Sequence, residues 1–296
     1  MKAKFSTVLK TAFIQWWGKD PFKESAVIAY YAIFSLPGLL VVVITVAGYF
    51  FGQKTVNGQI AAQITATMGT DTAQQIQDII AKGTESKNSV WATAIGLFTI
   101  LLGATGVFVE FQKSLNVIWE VKVDESKSGI VSVLKARLFS FGLIIGVAFI
   151  LIASLVISAT LSALGIWVTS HFSETFLVAL QLFNFILSLG ILAVLFALMF
   201  KFIPDAKIKW RHVWIGSLVT AILFEIGKFS LGLYFGKADP GSGYGAAGSI
   251  ILILLWVSYS SMIVFFGAEF THAHAEIRDG KIQPDKNAIK QTAPKY

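Results

Sequence analysis

The sequence predicts an all-α integral membrane protein: six transmembrane helices, an interfacial amphipathic helix at the N-terminus, a short helical outer loop and both termini in the cytoplasm. Three observations predict it. Charged residues are only 14% of the 296, with 55% hydrophobic, where a soluble domain carries about 25% charged. Six runs are each apolar over about 20 residues or more, the length that crosses a hydrocarbon core of roughly 30 Å. Lys and Arg are also unevenly shared, nineteen in the flanks on one side of those runs and four on the other.

The first element is the basic segment "MKAKFSTVLKTAFIQWWGKDPFKES". It has no apolar core and no small-residue cleavage site, so it is not read as a cleaved signal peptide. Within it Phe5, Val8, Leu9, Ala12, Phe13, Trp16 and Trp17 recur at helical spacing beside lysines. That pattern predicts a helix over 5–17 lying on the cytoplasmic surface, either as an anchor or as a grip on lipid.

Span one is read as Ala26–Phe51. Pro37 removes a backbone hydrogen bond near its middle and predicts a kink, which suits a cavity lining or simple packing. The outer loop, 52–89, holds two amphipathic patterns: Ile60, Ile64 and Met68, then Ile76, Ile79 and Ile80 after an Asp71/Gln74 capping pair. Two short helices follow, serving as a lid or resting on headgroups.

Spans two and three are Val90–Val109 and Leu138–Val168. At about 1.5 Å per residue the latter reaches roughly 46 Å, so it tilts or projects into water. Span four is Phe176–Ile203, an antiparallel partner of span three because almost no loop separates them. Span five is Val213–Phe235, and span six, Ala246–Ala268, follows the turn "DPGSGYGAAGS". Gly245 and Gly248–Ser249 are expected to let span six pack tightly. Residues 1–275 are read as one membrane domain and 276–296 as a cytoplasmic tail. The +7 net charge then reflects orientation and anionic headgroups, and nucleic acid is not needed to explain it.

Polar residues inside the spans are the candidate site. Glu225 and Lys228, at i and i+3 in span five, share a helix face and can pair. Each costs about 2.5–3.5 kcal/mol near the bilayer centre, so they should face the bundle or a wet cavity. By helix rise Lys228 lies roughly 10 Å from the outer edge, the depth of Gln181 and Asn184 in span four. Two readings stay open. The pair is an interhelical clamp, or it lines a headgroup site in which Lys228 holds an anionic phosphate while Gln181 and Asn184 donate hydrogen bonds. Tyr30, Tyr31 and Ser35 in span one are weaker candidates in the inner half. Glu110, Asn116 and Glu269 are polar groups at the membrane edges, where water or the basic loops are within reach.

No catalytic constellation emerges. "THAHAEIRDG" places His272, His274 and Glu276 in a superficial likeness to a nuclease metal motif. On a helix the two histidines lie about 200° apart and cannot share a metal. The stretch is read as a solvated cytoplasmic helix. With only His171 and His212 besides, no metal and no cofactor is expected. The absence of cysteine excludes disulfides, thiolate metal sites and a cysteine nucleophile.

Four stretches together resemble the YihY/BrkB family of membrane proteins, once labelled ribonuclease BN: "AYYAIFSLPGLL", "GATGVFVEFQKSLNVIWEV", "FIPDAKIKWRHVWIGSLVTAILFEIGK" and "YGAAGSIILILLWVSYSSMIVFFGAEF". The resemblance runs over roughly residues 20–275, with Asp205 standing where Asn is more usual. It implies a bacterial inner-membrane protein linked to envelope integrity and serum resistance. It also implies phospholipid as cargo and AsmA-like bridge proteins as partners, and it brings no catalytic residues. A small-solute or ion transporter and a structural member of an envelope complex are the competing readings, with a nuclease last.

Overall fold

Helix forms along the apolar runs that the computed structural model describes, which covers residues 5–85, 106–124, 174–238, 240–286 and 288–291. The helices are α1 Phe5–Trp17, α2 Pro21–Phe51, α3 Gln53–Met68, α4 Thr70–Glu85, α5 (residues 106–118), α6 Glu174–Phe202, α7 Trp210–Ala238 and α8 Gly248–Asp279. Among the described residues, three stretches are long and apolar enough to cross a membrane: Gln181–Phe202, Trp210–Ala238 and Gly248–Asp279. They correspond to spans four, five and six. Span one coincides with α2, a continuous helix through Pro37 that opens with Pro21 at its first turn. Span three and all but the last residues of span two lie outside the described residues.

Helix α8 is the hub, packing against α1, α2 and α7, while α6 packs against α7. The main core lies in the half of the bundle nearer the chain termini. Phe111 and Leu115 of α5, Phe196 and Phe200 of α6, Val213 and Ala221 of α7, and Phe265 and Ala268 of α8 meet there.

The two expected outer helices are present as α3 and α4, joined at Gly69. They rest on protein: Val56 and Ile76 pack with Ile44 and Ala47 of α2 and Ile253 of α8, and Ile60, Ile64 and Met68 join them. Their apolar faces are thus used to cover one end of the bundle.

Two expectations are corrected. Gly245 does not serve helix packing. It lies in a 3-10 turn with φ at 53°, a left-handed conformation that favours glycine, and a side chain there would meet open space. Gly248 does sit in a close approach, but to the turn itself, where an added Cβ would be 2.5 Å from Gly241 O. The close helix–helix approach occurs at other glycines, Gly216 and Gly267, where an added Cβ would overlap Thr271 and Thr220 across α7 and α8.

The tail is part of the fold. Strand β1 (Val121–Val123) pairs with β4 (Ala288–Lys290), and β2 (Ala206–Lys207) with β3 (Gln283–Pro284), both antiparallel. The Asp285 N–H donates to Asp205 O and the Gln291 N–H to Glu120 O. The tail therefore staples the exit of α5 to the α6–α7 connection.

Candidate functional site

Glu225 and Lys228 pair as their spacing predicts, with Lys228 Nζ 2.6 Å from Glu225 Oε2 and 2.8 Å from Oε1. Neither is sealed in: the side chains are 18% and 33% exposed. They face a groove of about 770 Å³ formed by α7, Phe185 of α6 and Gln63 of α3. The rest of its lining is apolar, Ile226, Phe229 and Leu233, all exposed, and Gly232 lets α7 pass without a side chain. An ion pair with apolar walls fits a ligand that has a charged head and an apolar body.

The remaining candidates do not all converge there. Asn184 immediately precedes Phe185, and its Oδ1 is buried without a hydrogen-bond donor. Gln181 is exposed. Neither lines the groove. Tyr30 and Tyr31 stand on the open face of α2 with their rings edge-on at 5.7 Å. Ser35 is buried and donates to Ala32 O within its own helix, so it has no hydroxyl hydrogen to offer.

The edge residues take distinct partners. Glu110 pairs with Lys113 at 3.1 Å. Asn116 clasps Asp205 in both directions: its Nδ2 donates to Oδ2 and its Oδ1 accepts from the Asp205 N–H, each at 2.8 Å. Gln112 donates to the same Oδ2 at 3.2 Å. Burial raises the Asp205 pKa above its usual value, against the hydrogen bonds from Asn116 and Gln112 that lower it. Glu269 reaches a basic partner, Lys19 at 2.6 Å, but not water, because its side chain is almost wholly buried.

The histidine stretch is likewise not solvated. His272 and His274 are buried because α1 and the start of α7 close over the end of α8. Val8 and Ala12 of α1 pack on Phe270 and Ala273. His272 stands edge-on to Trp119 at 5.5 Å. His274 faces His212 with Nδ1 atoms 3.0 Å apart, and His212 Nε2 lies 2.9 Å from Asp279 Oδ2. Asp279 also binds Lys209 and Arg211. The two histidines thus look to different partners, and among the described residues no group of three potential metal ligands forms. Sequence reasoning missed these ties because the partners are 60 or more residues apart, as His212 and His274 are at 62.

A family model described as "Virulence factor BrkB" matches residues 12–292, a range that begins within α1 and takes in the tail strands. The chain is 28% identical over 189 residues to a UPF0761 membrane protein of Tolumonas auensis, covering 62% of this chain and 58% of that protein. It is 28% identical over 254 residues to one of Saccharophagus degradans, covering 86% and 56%. With one of Pseudoalteromonas atlantica it is 26% identical over 268 residues, covering 88% and 85%. The chain spans a little over half the length of the first two relatives. No solved structure matches it.

Proposed function

The chain belongs to the BrkB family of membrane proteins, and from that premise we propose that it handles or transports phospholipid at the bacterial inner membrane, in support of envelope integrity. The observation that carries the reading is the groove beside Lys228, an ammonium group among exposed apolar side chains. In this reading Lys228 binds the lipid phosphate, Glu225 sets the ammonium in place, and acyl chains lie along Phe229 and Leu233. Both termini are cytoplasmic, as the excess of Lys and Arg in the flanking segments supports. The protein is not an enzyme, anionic phospholipid is its ligand, and AsmA-like bridge proteins are its partners.

A small-solute or ion transporter is the second reading, favoured by a charged pair within a span. The groove counts against it, because an ion would lose its hydration to mostly apolar walls. Reconstitution tests the choice. Vesicles containing the full chain should accelerate movement of labelled anionic phospholipid between leaflets or to acceptor vesicles. Ion or solute flux without lipid movement contradicts the proposal.

A further inference from the structure

A second cavity, of about 480 Å³, opens at the outer end of the bundle, between the α3–α4 junction, the end of α7 and the turn into α8. It meets the groove beside Lys228 at Gly232, which lines both. Gly232 and Gly236 stand one turn apart in α7 and both line the cavity, yet nothing lies within 4 Å of the Cβ that either lacks. Glycine inside a helix costs about 0.5–1 kcal/mol relative to alanine, and here no close packing accounts for it. What the two glycines provide is empty space.

The polar groups around that space come mainly from α3 and α4. Asp71 and Gln75, four residues apart, are neighbours on one face of α4. Asp71 is exposed and Gln75 half-buried, so both are within reach of the cavity they line. Thr70 donates to one Asp71 oxygen at 3.4 Å, and a carboxylate has further lone pairs to offer. Ser249 Oγ of α8 donates to Gln75 Oε1, which holds the amide in place with its N–H groups as donors. Thr65, exposed near the end of α3, adds a hydroxyl. A carboxylate that accepts, an amide that donates and a hydroxyl that does either suit a guest whose own groups do both. Hydroxyls do so, whereas an ammonium only donates and a phosphate only accepts. Asp71 carries the only formal charge among the described residues lining the cavity, so no cation is there to hold an anion.

We propose that this outer cavity binds a vicinal diol, whose hydroxyls donate to Asp71 and accept from the Gln75 amide. The unit occurs in free glycerol and in the glycerol head of phosphatidylglycerol, which reaches the cavity from the groove past Gly232. The charge of Asp71 keeps a lipid phosphate on the groove side of Gly232, where Lys228 lies. The inference stands without the reading of Lys228, because a free polyol enters from the outer side and needs no part of the groove.

The test uses the full chain. In phosphatidylcholine nanodiscs it is titrated calorimetrically with glycerol, 1,2-propanediol and 1,3-propanediol. In detergent it is titrated with phosphatidylglycerol and with phosphatidylpropanol, which has the same charge and nearly the same size but no hydroxyl on its head, and bound lipid is counted by native mass spectrometry. Vicinal diols should bind saturably and the 1,3-isomer roughly tenfold more weakly, the value of one hydrogen bond. Asp71→Ala removes the acceptor and should abolish this binding. Gly236→Leu should do the same by filling the space without removing a polar group, and thermal melting checks that both variants fold. The lipid arm identifies the source. A roughly tenfold preference for phosphatidylglycerol, lost in Asp71→Ala and in Gly232→Leu, means that the lipid head occupies the cavity. Diol binding without that preference means a free polyol. Absence of both preferences, or either one surviving in folded Asp71→Ala and Gly236→Leu, overturns the proposal. Glu225→Gln with Lys228→Met keeps the two sites apart, since it should leave glycerol binding unchanged whatever it does to lipid transfer.

Discussion

Gly216 of α7 and Thr271 of α8 interlock so closely that a Cβ on the glycine would overlap the threonine Oγ1, and four residues along each helix Thr220 and Gly267 repeat the arrangement in reverse. Each threonine hydroxyl is turned inward and donates to the carbonyl four residues earlier, at 2.7 Å in both helices. The contact therefore buries no unmatched polar group, and lets two membrane helices approach through small residues.

Gly216→Ala and Gly267→Ala should each destabilise the protein by about 1–3 kcal/mol, the cost of overpacking a close contact. Gly190→Ala, where nothing lies within 4 Å of the added Cβ, is the control and should be neutral or slightly stabilising. Thermal melting in detergent reads the difference. Equal effects at all three positions would remove the interlock from the account.

Asp205 links α5 to the α6–α7 connection, and its raised pKa fixes a sign. A carboxyl that holds its proton more tightly when folded contributes stability fully present below the unfolded pKa, which is lost as pH rises through the folded value. Asp205→Asn keeps an oxygen for Asn116 and Gln112 to donate to, but does not titrate. Its stability relative to the parent chain should therefore rise as pH climbs from 3.8 through the carboxyl range. Asp205→Ala leaves Asn116 and Gln112 without their acceptor and should cost about 1–3 kcal/mol at any pH. Melting curves across pH check both.

His272 and His274 are buried against different partners. Chelator should therefore leave the melting temperature unchanged, and RNA should not be cleaved in a metal-dependent way. Replacing His272 by Ala should nevertheless destabilise the chain, because it empties a site packed on Trp119. Metal-dependent cleavage lost in that variant would contradict the assignment.

Orientation is accessible to labelling because the chain has no cysteine. Single cysteines at Asn57, Ser126 and Thr292 should respond to an impermeant reagent on intact spheroplasts only at position 57. Labelling at position 126 would invert the topology.

Apolar periodicity made much of the described fold legible. Helices α1 to α4 and the membrane-length apolar stretches in α6, α7 and α8 follow from apolar spacing, and the Glu225–Lys228 pair from a three-residue interval on one helix. What stayed hidden depends on distant segments meeting. Strands of two and three residues such as Gln283–Pro284 and Ala288–Lys290 carry no alternating pattern and form only because loops lie ready to pair. The burial of Glu269 and His272 depends on α1 docking over α8, and nothing local to "EFTHAHAE" signals that cover. Gly216 and Gly267 are ordinary glycines in an apolar helix until their threonine partners are placed opposite them.

One variant tests whether Lys228 holds a lipid phosphate. Glu225→Gln with Lys228→Met removes both charges at nearly constant volume, so no buried carboxylate is left unpaired. Thermal stability and phospholipid transfer are measured together on the reconstituted double variant. Parent-like stability with transfer lost is the expected result. Parent-like stability with full transfer would reduce the pair to a clamp within α7 and contradict the claim.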